Sequence, residues 1–347
     1  MATLAGKPIT ANGLGLMSML TLICSDMFDT ARLTNSGLTW HLGSVSDEVA
    51  FPVLKAALAH GANVWNGSDF YGTPEANSLH LLNRYFTRYP EDAPKVVLCI
   101  KSGVIGRAPH KVDGSPEGMR RAVDSCNRIL DGKKKIDIFG CARVDPDVSI
   151  EVTTEALGQL IGEGKIGGIQ LTEVSAASIR RAAKVHKIDM VEAEVSLWAT
   201  DVLTNGVAEA CGELGIAIIA HSPLGAGMLT GKIQGPEDVG PYAQFPRFQD
   251  ENLQKNLELV NELRKLAERK GCTASQLALA WVKSLSRRPG MPFIVPVAGA
   301  RSEDRVAENC KDIQLTEEDL TEIGAVLTNF PVVGGRFPAA SAAFNEY

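Results

Sequence analysis

"GLGLMSML", residues 13–20, decides between two ways of building an α/β protein. A doubly wound dinucleotide-binding sheet follows its first strand with G-x-G-x-x-G, whose third glycine opens a helix. Here glycines stand at 13 and 15, the third position is Ser18, and no amphipathic helix follows. The stretch therefore reads as a plain strand over 14–17. Seven more short apolar runs follow at 63–66, 96–101, 136–142, 166–171, 190–196, 216–222 and 293–299. Most are near-continuous apolar runs, the pattern of strands buried on both faces beneath helices.

Helical segments alternate with these runs. Ser46 is placed to cap a helix over 47–60 that stops at Gly61. Ser115-Pro116-Glu117 puts an N-cap and a first-turn proline ahead of "GMRRAVDSCNRIL". Further helices are expected near 150–162, 175–185, 203–214 and 274–287. Thr316 and Asp319 form a capping-box pattern before a C-terminal helix. Eight strands, seven helical crossovers and a helical tail predict an α/β fold, a (β/α)8 TIM barrel. It reads as one domain over 1–347 with long connections at 18–45 and 223–250 on the C-terminal face.

Bulk composition narrows the function. The chain has 347 residues, 45 % of them hydrophobic, and a net charge of −6. Its one cationic block, "GKKKID" at 132–137, reads as a solvated turn before a strand, so no nucleic-acid partner is expected. The apolar stretch at 13–24 is too short to span a bilayer and lacks a basic flank, so neither a membrane partner nor a leader is expected. The seven cysteines include no pair within ten residues, which argues against a metal or redox CxxC and fits a reducing, cytoplasmic setting.

In a barrel, side chains at strand C-termini point into one mouth. Asn66 ends the second strand and Lys101 the third, Thr172-Glu173 follow the fifth, and His221-Ser222 end the seventh. A lysine at a buried strand end is costly unless paired or used. Tyr71 lies just past Asn66, and tyrosine with lysine is a chemically sensible pair. A free phenol has a pKa of about 10, and a nearby ammonium favours its anion. A tyrosine tuned in this way can protonate a carbonyl oxygen while hydride reaches the carbon. "NVWNGSDFYGTPEAN" (63–77) suggests a strand, a loop, and a helix opening at Pro74-Glu75.

"NGSDFYG" (66–72), "CIKSG" (99–103), "HSPLGAGMLTGK" (221–232), "PRFQDEN" (246–252) and "GARSEDRVAEN" (299–309) resemble, in order, segments of the aldo-keto reductase superfamily. The likeness runs from about 13 to 330. "WNGSDFYGTPEAN", "GKKKIDIFGCARVDP" and "SLWATD" resemble more narrowly the fungal pyridoxal reductases and related fungal enzymes. The resemblance implies NADPH-dependent reduction of a carbonyl, with transfer of the pro-R hydride. Pyridoxal to pyridoxine is the most specific reaction implied, and another carbonyl of fungal secondary metabolism or a low-turnover NADPH-binding role stays open. Monomer and homo-oligomer stay open as well.

Residue roles carry over by position. Of the superfamily's Asp-Tyr-Lys-His tetrad, tyrosine is Tyr71 and lysine is Lys101, while Asn66 stands for the aspartate and Ala142 for the histidine. Asn66 can support Lys101 without neutralising it. Asp69 is either a substitute carboxylate or a loop cap. Cofactor contacts implied are Thr172, Glu173 and Glu192 near the nicotinamide carboxamide, and His221 stacked on its ring. Ser222, Leu224 and Gly225 fall on the pyrophosphate loop. Gly299, Arg301 and Arg305 fall at the last barrel helix, where helix N–H groups and guanidinium forks suit a 2′-phosphate, and Glu308 and Asn309 fall at adenine. Trp40, Phe70, Trp198 and Phe245 are candidates for a substrate pocket, with Phe248 another loop aromatic, and no metal is expected. Residues 18–36 interrupt a "GLGLM…GLTW" run; they read as a lid-like insertion or as translated intron sequence.

Overall fold

A computed structural model describes residues 2–19, 45–107, 110–338 and 346. Eight parallel strands form one sheet: β1 (Asn12–Gly15), β2 (Ala62–Ser68), β3 (Val97–Ser102), β4 (Ile138–Cys141), β5 (Gln170–Thr172), β6 (Met190–Glu194), β7 (Ala217–His221) and β8 (Ile294–Gly299). Their order is β4-β3-β2-β1-β8-β7-β6-β5. The ends meet through a parallel bridge of Phe139 with Ile169, in which Phe139 N donates to Gly168 O at 3.0 Å, so the sheet closes into a barrel. All eight runs read from the sequence are barrel strands.

The glycines of "GLGL" owe their place to packing. Leu14 and Leu16 face the helical layer, so Gly13 and Gly15 face the barrel interior. A Cβ at Gly13 would lie 2.7 Å from Val297 Cγ1, and one at Gly15 would lie 2.8 Å from Val297 O. Strand β8 closes on β1 through that space.

Around the barrel run α1 (Asp47–Ala59), α2 (Ser78–Arg88), α3 (Pro116–Leu130), α4 (Ile150–Gly162), α5 (Ala176–Val185), α6 (Val207–Leu214), α7 (Asp250–Arg269), α8 (Ala274–Leu285), α9 (Glu303–Cys310) and α10 (Glu317–Asn329). Ser115 Oγ accepts from Gly118 N at 3.0 Å, and Thr316 with Asp319 forms a reciprocal capping box. Helix α7 is additional to the one-strand, one-helix alternation and packs on α8 and α10. A hairpin of Thr3–Leu4 with Lys7–Pro8 covers the barrel floor, where Leu4 and Ile9 join the interior residues Val64, Cys99, Met190 and Ile219. No described helix is long and apolar enough to cross a membrane. Beyond a short 3-10 turn at Met17–Met19, the atypical segment lies outside the described residues.

Candidate active site

Strand parity builds the site in layers. Side chains alternate faces along a strand, so residues two apart share the barrel interior. Above the apolar floor of Val64, Cys99 and Met190, the next inward positions are Asn66, Lys101 and Glu192, with Gln170 from β5 beside them. One step higher, at the mouth, stand Ser68, Glu194 and His221. A polar layer thus sits on an apolar one, and each of its members must find partners there.

They do so through one network. Lys101 Nζ lies 2.8 Å from Glu192 Oε1, and the two side chains are only 4 % and 2 % exposed. Lys101 also donates to Asn66 Oδ1 at 2.8 Å, while Asn66 Nδ2 donates to Glu192 Oε2 at 2.8 Å. Gln170 Nε2 adds a longer bond to the same oxygen, at 3.3 Å. An amide can accept from an ammonium and donate to a carboxylate at once, which a carboxylate in its place could do only if protonated. Asn66 therefore bridges an ion pair. Burial would push the Lys101 ammonium down, yet Glu192 and then Tyr71 hold its pKa above the ordinary lysine value. Burial likewise opposes the Glu192 charge, but Lys101 first, with His221 and Asn66, keeps that carboxyl below its ordinary value.

Tyr71 reaches this layer from the loop after β2. Lys101 Nζ lies 4.9 Å from the centroid of its ring, and Phe70 packs edge-on against it at 5.2 Å. The helix expected at Pro74-Glu75 begins four residues later. Gly72–Thr73 and Ala76–Asn77 form a small hairpin around those residues, and Asn77 caps α2 through Leu79 N and His80 N. Gly72 has φ +103°, and a Cβ there would lie 2.3 Å from Ala76 O, so the hairpin needs glycine. Ser78 N donates to Tyr71 O at 3.1 Å, tying the tyrosine to the start of α2. Asp69 accepts from Ser102 Oγ at 2.5 Å, and burial lifts its carboxyl above the ordinary aspartate value despite that bond.

A second charged group occupies the mouth. Glu173, fully buried just after β5, accepts from His221 Nε2 at 2.6 Å, from Arg336 Nη2 at 2.8 Å and from Glu194 N at 3.0 Å. Arg336 Nε also donates to Glu194 Oε2 at 2.8 Å. Burial opposes the Glu173 charge, but His221, then Arg336, hold its pKa well below the carboxylate range. Glu173 and Ser222 both have left-handed backbones, φ 54° and 47°, at the ends of β5 and β7. Non-glycine residues held there cost about 1–3 kcal/mol each and cluster at functional sites.

The remaining candidates fall in three places. Thr172 accepts from Gln170 Nε2 at 3.3 Å beside the Lys101 layer. Ser222, Leu224 and Gly225 follow β7, with Gly225 packed against the Trp198 ring. At α9, Ser302 caps the helix by accepting from Arg305 N, Arg301 Nε donates to Ser18 O at 3.0 Å, and Arg305 pairs with Glu308. Asn309 Nδ2 donates to Gly299 O at 3.3 Å, whereas its buried Oδ1 has no hydrogen-bond partner among the described residues. Trp198 stacks on Phe248 at 5.4 Å, Phe248 on Tyr242 at 5.6 Å, and Phe245 lies 5.6 Å from Tyr242. Burial first, and then Tyr71 and Glu194, push the Tyr242 phenol up to about 12. Trp40 lies outside the described residues. Among the described residues no cluster of three His, Cys, Asp or Glu is arranged to hold a metal.

Three participants had escaped sequence reasoning. Gln170 carried a faint signal, an amide inside the apolar run "IGGIQL". Glu194 sits two residues after Glu192 in the same strand parity. Arg336 carried none, because it comes from the tail after α10.

Comparison with known proteins agrees with this architecture. The Aldo/keto reductase family profile matches residues 35–328. A probable pyridoxal reductase 2 of Schizosaccharomyces pombe is 36 % identical over 313 residues, covering 87 % of this chain and 92 % of that protein. A putative pyridoxal reductase of Saccharomyces cerevisiae is 34 % identical over 334 residues, covering 87 % and 94 %. The aldo-keto reductase str7 of Strobilurus tenacellus is 32 % identical over 338 residues, covering 95 % of each chain. A solved glycerol dehydrogenase from Gluconobacter oxydans shares the fold, with TM-score 0.75 and 20 % identity over 95 % of both chains. The chain belongs to the aldo/keto reductase family, and it is an oxidoreductase of that family's carbonyl-reducing kind.

Proposed function

We propose that this protein is a cytoplasmic NADPH-dependent reductase of aldehydes or ketones, with pyridoxal to pyridoxine as its most specific reaction. The substrate reading leans on the two yeast relatives whose names carry that activity. One observation supports the chemistry above the rest: a buried Lys101 ammonium 4.9 Å from the Tyr71 ring at the barrel mouth. Tyr71 gives its phenolic proton to the carbonyl oxygen, and Lys101 offsets the negative charge left on the phenolate. A nicotinamide cofactor held at this mouth would supply the hydride that reduces the carbonyl carbon. Phe70, Trp198 and Phe245 would offer apolar surface to the substrate, and Trp40, outside the described residues, is a further candidate from the sequence.

The residues fit such a cofactor. Asn309 Oδ1, buried and without a partner among the described residues, suits an amino group such as that of adenine, with Glu308 beside it. Arg301 and Arg305 at the start of α9, with Gly299 ahead of them, suit a 2′-phosphate. Ser222, Leu224 and Gly225, which follow β7, would hold the pyrophosphate. Thr172, Glu173 and His221 would meet the nicotinamide end.

NADPH oxidation measured with pyridoxal and a panel of aldehydes tests this reading. Wild type turns over, and Tyr71→Phe loses roughly 10²- to 10⁴-fold in kcat while still binding NADPH. Tight NADPH binding with no turnover on any carbonyl would sink the reading in favour of a binding role. Undiminished activity in Tyr71→Phe would remove Tyr71 as the acid.

A further inference from the structure

We infer that Glu192 is the positioning carboxylate of this site, supplying from β6 the negative charge that Asn66 on β2 does not provide. The inference rests on the reductase reading above and assigns Glu192 to the lysine rather than to the cofactor.

Both oxygens of Glu192 are already committed. Oε1 lies 2.8 Å from Lys101 Nζ, and Oε2 accepts from Asn66 at 2.8 Å and from Gln170 at 3.3 Å. Strands β3 and β6 are not neighbours in the sheet, so this pair spans the barrel interior. Two bonds 2.8 Å long, to Glu192 and to Asn66, fix the ammonium beneath Tyr71. Without the carboxylate, Lys101 would face two neutral amides in a buried layer, an environment that favours loss of its proton. Lys101 must be protonated and in place to act on Tyr71, so Glu192 governs both its charge and its position. The other titratable groups around the pair are Tyr71 above it, Cys99 on β3 and His221 on β7. The Cys99 thiol, buried among them, is held well above its ordinary pKa and stays neutral.

Moving the carboxylate tests the inference. Glu192→Gln lowers kcat by on the order of tenfold or more and moves the alkaline limb of the kcat–pH profile to lower pH, with NADPH affinity unchanged. Asn66→Asp combined with Glu192→Gln restores one carboxylate and one amide around the ammonium, because aspartate is isosteric with an asparagine 2.8 Å from Nζ. The double variant recovers most of kcat and returns the limb toward wild type. A purely structural role for Glu192 predicts no such recovery and no movement of the limb.

A second readout needs no turnover. In protein carrying 13C at lysine Cε, the Lys101 resonance, assigned by its loss in Lys101→Met, begins to titrate at lower pH in Glu192→Gln and reverts in the double variant. If no carbonyl is reduced but this resonance behaves as stated, the functional reading fails while the positioning role of Glu192 stands. If carbonyls are reduced and Glu192→Gln changes neither kcat, limb nor resonance, the inference is overturned. Should Glu192→Gln fail to fold, the double variant decides: folded and active supports the inference, unfolded or inactive overturns it.

Discussion

Asn66→Asp is the most informative single change to the buried layer. The new carboxylate oxygens would lie about where the amide atoms do, 2.8 Å from Lys101 Nζ and 2.8 Å from Glu192 Oε2. At an effective dielectric of about 20, each contact is worth about 6 kcal/mol, one attractive and one repulsive, so the two largely cancel. What remains is the burial of a second anion, several kcal/mol, and the loss of a charge-assisted bond worth about 1.5–3 kcal/mol. Taking up a proton is the alternative. From an ordinary carboxyl pKa of about 3.9, that costs about 4 kcal/mol at pH 7. A protonated carboxyl can donate to Glu192 as the amide does. The expected destabilisation at pH 7 is therefore about 3–4 kcal/mol, capped by proton uptake. The folded variant then binds one proton more than the unfolded chain above about pH 4, so its stability relative to wild type falls by about 1.4 kcal/mol per unit as pH rises, until the raised pKa is passed. Urea unfolding of both proteins at about pH 5, 6, 7 and 8, followed by tryptophan fluorescence and far-UV circular dichroism, measures this difference. A difference independent of pH across that range, or one below about 1 kcal/mol, would refute the bridging role of Asn66.

Other expectations follow from the same structure. Replacing Arg301 and Arg305 together by alanine should raise KM for NADPH by about tenfold or more and leave that for NADH within about twofold; steady-state kinetics with each cofactor decides, and equal losses would remove both arginines from phosphate recognition. Asp92, far from the mouth, accepts from Tyr85 Oη at 2.7 Å and pairs with Lys55 at 2.6 Å and Lys95 at 2.8 Å. Burial opposes its charge, but Lys55, Lys95 and Tyr85 bring its pKa down to about 2. A depressed carboxyl contributes stability above its unfolded pKa and loses it as pH falls through the folded value. Asp92→Asn should therefore cost about 2 kcal/mol near neutrality, and its gap to wild type should close between about pH 4 and pH 2, with turnover unchanged; a gap that persists at pH 2 would assign the loss to packing.

Much of the site was legible because it obeys local rules. Asn66 and Lys101 were found as polar interruptions at the ends of apolar runs, and the barrel sends such positions inward together. The caps at Ser115 and Thr316 were readable for the same reason, since a cap depends on residues three apart. Helix α2 starts at Ser78 rather than near Pro74 because Gly72, Thr73, Ala76 and Asn77 pair as a hairpin. A pair of two-residue strands leaves too short a period to detect. Resemblance alone placed Glu192 beside the cofactor; in the fold its two oxygens meet Lys101, Asn66 and Gln170.

By itself, the sequence determined the eight strands, the helices between most of them, the inward strand-end positions of Asn66, Lys101 and His221 with Tyr71 just beyond, and the resemblance to a family of carbonyl reductases. These follow from near-continuous apolar runs, turn and cap chemistry, and motif order, all written within short stretches of chain. Only the tertiary structure decided which charge answers which. Barrel closure sets β6 across from β3, so Glu192 rather than any neighbour of Lys101 neutralises it, and Asn66 serves as the amide between them. The tail after α10 brings Arg336 to Glu173 and Glu194 in the same way. In a dry interior every buried charge needs a partner, and which partner it finds is set by how the walls close.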